Sequence, residues 1–112
     1  MKVADLVTKL NLTVYGGSDS LENEVNGGYT SDLLSDVMGN ASDGEVWITL
    51  QSHINVVAVA SLNDLAAIIL VSGHKPQDDA LKKSNDEGIP LLGTDKTAFE
   101  ITGMIYNLLK EE

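Results

Sequence analysis

Apolar residues recur at Val3, Leu6, Val7 and Leu10, the spacing that lines one face of a helix. The period then changes. Leu12 to Tyr15 carries β-branched and aromatic residues ahead of Gly16-Gly17, which predicts a short strand closed by a turn. The polar stretch Ser18–Asn26 reads as a loop, leading into a second strand near Glu24–Thr30, where the pair Gly27-Gly28 marks a bulge or a close backbone approach. From Ser31 to about Ala41 the helical period returns. Leu33, Leu34, Val37, Met38 and Ala41 form the apolar face, Ser31 is the expected cap, and Asp32 falls in the first turn.

Asp43-Gly44 ends that unit, and Glu45–Leu50 reads as a buried strand. Ser52–Asn63 is ambiguous by pattern. Val56, Val57 and Val59 suit a strand, whereas a serine cap and the alanines suit a buried helix; the alternation of strand and helix favours the helix. Ala66–Ser72 is an almost continuous run of Ala, Ile, Leu and Val, as expected for a central strand covered on both faces. Pro76 in a first turn opens a helix that stops at Gly88, Ile89–Gly93 is a short strand, and Thr97 with Glu100 forms a capping box for a last helix through Leu109. The order α-β-β-α-β-α-β-α-β-α predicts a three-layer α/β fold with a mostly parallel central sheet and helices on both faces.

The chain has 112 residues, 43% hydrophobic and 21% charged, which suits a single domain over residues 1–112. At this length roughly 65 to 70% of the unfolded surface is buried on folding, enough for a core without disulfides or a structural metal. Seventeen acidic residues face seven lysines and no arginine, a formal charge of −10. Nucleic acid and anionic membrane surfaces are therefore not expected partners, since both are bound through clustered Lys and Arg. The absence of cysteine removes disulfides, thiolate nucleophiles and cysteine-ligated metals. The N-terminus lacks the pattern of a signal peptide and the longest apolar runs are too short to span a bilayer, so a cytoplasmic location is expected.

Catalytic motifs fail at defined positions. Gly88 to Asp95 has the two glycines of a phosphate-binding loop but continues Gly93-Thr94-Asp95, without the lysine that reaches the terminal phosphates. Gly16-Gly17-Ser18-Asp19-Ser20 approaches a nucleophile elbow and lacks its last glycine. The two histidines, His53 and His74, each follow a predicted strand, where a parallel sheet gathers its binding crevice. Thr49, Gln51, Ser52, His53, Gly73, His74, Thr94 and Asp95 are thus the candidate ligand-binding set. No catalytic residue, metal ligand or cofactor is assigned: the histidines lack metal-ligand spacing and any visible charge partner. The competing reading is that Ser52 caps a helix, His53 sits exposed in its first turn and His74 lies in a loop. Asp32 and Asp36, four apart, would place two carboxylates on one helix face, and Trp47 is expected in the core or a subunit interface.

The stretches Val46-Trp47-Ile48-Thr49, Ile68 through Pro76 and Gly88-Ile89-Pro90-Leu91-Leu92, with Asp95-Lys96-Thr97-Ala98-Phe99 behind them, resemble the DRTGG domain family over about Val3 to Leu109. Where that family shows Asp-Arg this chain has Ser52-His53, and where it shows Thr-Gly-Gly this chain has Val71-Ser72-Gly73, so only Gly73 is kept. The resemblance extends to the N-terminal, non-catalytic half of HPr kinase/phosphorylase. It implies an accessory or regulatory module of the kind found beside CBS modules in pyrophosphatases and beside phosphotransacetylase domains, with freestanding forms in anaerobic bacteria and archaea. The expectation is a non-catalytic regulatory or assembly module that binds a protein partner or an unidentified small molecule and works as a homodimer. The alternative is a small-molecule or metal site at the carboxyl ends of the strands.

Overall fold

The computed structural model describes residues 1–112, beginning with helix α1 (Val3–Leu10). Its expected face is turned inward, with Val3 and Leu6 fully buried, and the Asp5 carboxylate accepts from the Lys2 backbone N–H at 2.8 Å. Asn11 ends it in the left-handed conformation, φ 53°. There follow β1 (Thr13–Gly16), a short 3-10 turn at Ser18–Ser20, β2 (Gly27–Thr30), α2 (Leu34–Asn40) and β3 (Glu45–Thr49). The chain continues through α3 (Ile54–Leu62), β4 (Ala67–Leu70), α4 (Asp78–Glu87), β5 (Leu91–Gly93) and α5 (Ala98–Lys110). This is the element order that the hydrophobic pattern predicts.

The sheet order is β1-β5-β4-β3-β2, with β2 to β5 parallel and β1 antiparallel against β5. The parallel strands advance one place at a time in one direction, so right-handed crossovers must put all three connecting helices on the same face. The two cores show this. Val37 of α2, Val56, Val57 and Ala60 of α3 and Ala80 of α4 pack with Trp47, Ile68, Leu70 and Leu91. On the other face Val3 and Leu6 of α1 and Ile101 and Ile105 of α5 pack with Val46, Ile48, Ile69 and Leu92. Alternate residues of one strand serve opposite faces, which is why the central strands are apolar throughout. Helix α3 lies between α2 and α4 as well as on the sheet, and its many buried valines explain why its sequence shows no amphipathic period. No helix is long and apolar enough to cross a membrane.

Several expected boundaries move, each for a local reason. Helix α2 begins at Leu34, not Ser31: Ser31 Oγ accepts from Leu33 N at 3.2 Å, and Leu33 stays extended. Pro76 lies outside α4, because the extended Gln77 precedes the helix and its N–H donates to the Ser52 carbonyl at 3.1 Å. His53, rather than Ser52, caps α3, its Nδ1 accepting from Asn55 N at 3.1 Å. Gly27-Gly28 makes no bulge; β2 pairs with β3 in unbroken register, and the irregular register is between Val14 and Gly16 of β1. A Cβ at Gly16 would run into Ser84 Oγ on α4, and one at Gly17 would run into the backbone carbonyl of Ile89. Trp47 lies in the core, fully buried, with its indole N–H donating to the Ser31 carbonyl at 2.8 Å.

Candidate functional site

A crevice forms where the loops from two adjacent parallel strands leave to opposite sides of the sheet. Here β2, β3 and β4 all lead to helices on one face, and only β5 leads to the other, through α5. The loops therefore part between β4 and β5. At that point Ser72 and Gly73 both have positive φ, 56° and 74°, in a tight turn closed by His74 N–H donating to the Val71 carbonyl at 3.1 Å. The turn is tied to the neighbouring loop, with Ser72 N–H on the Lys96 carbonyl at 2.8 Å and Gly73 N–H on the Thr94 carbonyl at 3.0 Å. A cavity of about 290 Å³ opens there, lined by Gly73 and Lys75 from one loop and Thr94, Asp95 and Lys96 from the other. The end of α1 and strand β1 close it with Leu10, Asn11, Thr13 and Tyr15.

The eight candidate residues do not converge on one pocket. Gly73, Thr94 and Asp95 share this cavity. Thr49 and Gln51 belong to a separate clasp at the end of β3. The Asp32 carboxylate accepts from Thr49 Oγ1 at 2.7 Å and from Leu50 N at 2.9 Å, and Gln51 Nε2 donates to the Asp32 carbonyl. Ser52 gives its carbonyl to Gln77, His53 spends Nδ1 on its helix cap, and His74 is exposed and lines no cavity. His53 is used by the start of α3 and His74 by the turn after β4, and neither lines a cavity.

The expected pairing of Asp32 and Asp36 on one helix face is also overturned, since α2 starts after Asp32. Asp32 turns to β3, whereas Asp36 accepts from the Tyr29 hydroxyl at 2.9 Å and Asn40 Nδ2 at 3.0 Å. No three His, Asp or Glu side chains gather as a metal-binding group. Sequence reasoning passed over Lys75 and Lys96 as pocket residues, although both lie in the stretches that carry the family resemblance. Thr13 and Tyr15 gave no local signal, because the long-range pairing of β1 with β5 brings them there.

A second surface feature lies on α5. Its outer side exposes Phe99 (90%), Tyr106 (62%) and Met104 (40%), which line an open groove of about 640 Å³ together with Thr30 of β2. Glu100 is the one charged residue in that lining. Its carboxyl is held below its ordinary value by the Thr97 backbone N–H and then by the Thr97 hydroxyl, and more weakly by the charge of Lys96. Strand β2 is the edge of the sheet beside this groove.

No family model matches the chain, and no curated protein does. A solved structure does match: the CBS and DRTGG domains of the regulatory region of Clostridium perfringens pyrophosphatase, complexed with its activator diadenosine tetraphosphate. The TM-score is 0.74 over 93% of this chain, at 12% sequence identity. The fold is DRTGG-like. The chain spans 45% of that regulatory region, and at this identity the shared property is the DRTGG-like architecture of a mostly parallel five-stranded sheet between two helical layers.

Proposed function

We propose that this chain is a cytoplasmic regulatory or assembly module that acts by binding, without chemistry of its own, and works as a homodimer. The observation that carries the reading is the exposed apolar side of α5 beside the open edge of β2. A two-fold interface brings each patch onto its own copy, so like charges in the patch oppose association. With 17 acidic residues on the chain, self-association is favoured only where carboxylates are sparse, and the α5 groove holds one, Glu100. Phe99, Met104 and Tyr106 there are the residue types that anchor interfaces. The solved regulatory region with the same fold supports the regulatory part of the reading.

The test is the solution mass of the protein at tens of micromolar, by light scattering after gel filtration, for wild type and Phe99→Glu. Wild type is expected near twice 11.9 kDa and the variant near 11.9 kDa. Because Phe99 is 90% exposed in the single chain, the substitution leaves the fold of the subunit intact, which circular dichroism checks. A monomeric wild type, or a variant that remains dimeric, rejects this face. The parting of the loops after β4 and β5 favours a second reading, in which binding includes a small molecule taken at the carboxyl ends of the strands through Gly73, Thr94 and Asp95.

A further inference from the structure

We propose that the cavity between the loops after β4 and β5 binds a small phosphate monoester bearing free hydroxyls, the chemistry shared by sugar phosphates and nucleoside monophosphates. The proposal deepens the reading of a small-molecule site at the strand ends and is independent of dimerisation. Two of the seven lysines, Lys75 and Lys96, line this one cavity. Neither forms an ion pair, and the lysines that do are Lys2, Lys82 and Lys83. In a chain of net charge −10, two lysines without ion-pair partners among the residues lining one small space run against the surrounding field and match a ligand with a compact anionic group.

The other polar groups narrow the class. Asp95 lines the same cavity, its Oδ1 close enough to Gly73 that a Cβ there would lie 3.3 Å away, and it makes no hydrogen bond within the chain. An ionised carboxylate only accepts hydrogen bonds, so it suits hydroxyl donors and repels a second phosphate. Thr94 Oγ1 accepts from Lys96 N at 3.2 Å, which leaves its hydroxyl proton to donate to a ligand. The carboxyl end of α1, at Leu10 and Asn11, adds the negative end of a helix dipole, again suited to hydroxyl donors and not to further anionic groups. At about 290 Å³ and with two apolar residues in its lining, the cavity is small and polar for a ligand site. The backbone bonds between Ser72 and Lys96 and between Gly73 and Thr94 hold the two lysine-bearing loops together before any ligand arrives.

The experiment is a titration of the ¹⁵N-labelled full chain, followed by amide NMR, with ribose 5-phosphate, AMP, ATP, free ribose and inorganic phosphate as separate probes. Ribose 5-phosphate is expected to shift the amides of Gly73, Thr94, Asp95 and Lys96 with a Kd of about 1 mM or tighter. AMP acting equally well or better assigns a nucleotide, and AMP acting worse assigns a sugar phosphate. The Lys75→Ala/Lys96→Ala variant should bind at least about tenfold more weakly. Asp95→Asn should lose the preference for ribose 5-phosphate over inorganic phosphate. Tighter binding of ATP, free ribose or inorganic phosphate at these amides overturns the monoester assignment while leaving a small-molecule site. Unchanged affinity in the double lysine variant overturns the role of the lysines. No response at these amides to any probe removes the site itself.

Discussion

Replacing Asp32 by alanine removes the acceptor that joins the end of β2 to the end of β3. The Asp32 carboxylate takes two hydrogen bonds, from Thr49 Oγ1 at 2.7 Å and from Leu50 N at 2.9 Å. Leu50 is 40% exposed, so water can replace the lost partner of its N–H; Thr49 is 1% exposed, and its hydroxyl proton is left without one. A hydrogen bond to a charged group contributes about 1.5 to 3 kcal/mol and an orphaned buried donor costs about 1 to 3 kcal/mol, two views of one loss that are not summed. Because Asp32 is itself solvent-exposed, a value toward the lower part of the range, about 2 kcal/mol, is expected. With a urea m-value of about 1 to 1.5 kcal/mol per M, the denaturation midpoint falls by roughly 1.3 to 2 M. Trp47, whose indole donates to the Ser31 carbonyl next to Asp32, is the sole tryptophan and reports the transition by fluorescence. Asp32→Asn, which keeps an acceptor but not the charge, should lose about half as much. In the Thr49→Val background, Asp32→Ala should cost at least about 1 kcal/mol less than in wild type. A midpoint shift equivalent to under about 0.5 kcal/mol, or additivity of the two substitutions, would refute the clasp.

Gly17→Ala should destabilise by at least about 2 kcal/mol in the same urea assay. Gly17 has φ 68°, and a Cβ there would meet the Ile89 carbonyl oxygen at 2.1 Å, a backbone atom that cannot swing aside; a change within about 0.5 kcal/mol would contradict that geometry. Glu100 predicts an acid dependence. Its folded-state pKa is depressed, so its contribution is present above the unfolded value of 4.5 and is lost as pH falls through the lower folded value. Wild type should therefore lose more stability than Glu100→Gln as pH is lowered from about 6 to about 3, measured by midpoints at each pH. Parallel profiles for the two proteins would show that the Thr97 capping bonds do not favour the ionised form.

Strong local periodicity was readable directly. Val3, Leu6 and Val7 pointed to α1, Thr97 and Glu100 to the capped start of α5, and the unbroken apolar run at Ala66–Ser72 to a strand buried on both faces. Helix starts were less readable where distant groups compete for the same residues. Ser31 and Asp32 have the local chemistry of a helix start, yet Asp32 is taken by Thr49, seventeen residues away, and α2 begins later. Gln77 is likewise held by the Ser52 carbonyl, so Pro76 stays outside α4. The close approach also lies elsewhere than the pattern suggests: Gly27-Gly28 and Gly16-Gly17 are alike in one dimension, and only the packing of α4 against Gly16 and of the Ile89 carbonyl against Gly17 crowds the latter pair.

For the candidate site the division is sharper. Gly73, Thr94 and Asp95 were identifiable because residues just past parallel strands gather at one end of a sheet, a property that follows from alternating strands and helices alone. The absence of His53 and His74 from the cavity lining, and the entry of Lys75, Lys96, Thr13 and Tyr15, depended on which loops turn to which face and on β1 pairing antiparallel with β5. Element type follows from interactions within a few residues, which the order of side chains specifies. The shape and charge of a cavity come from groups far apart in the chain, and these meet only after handedness and strand order have placed them.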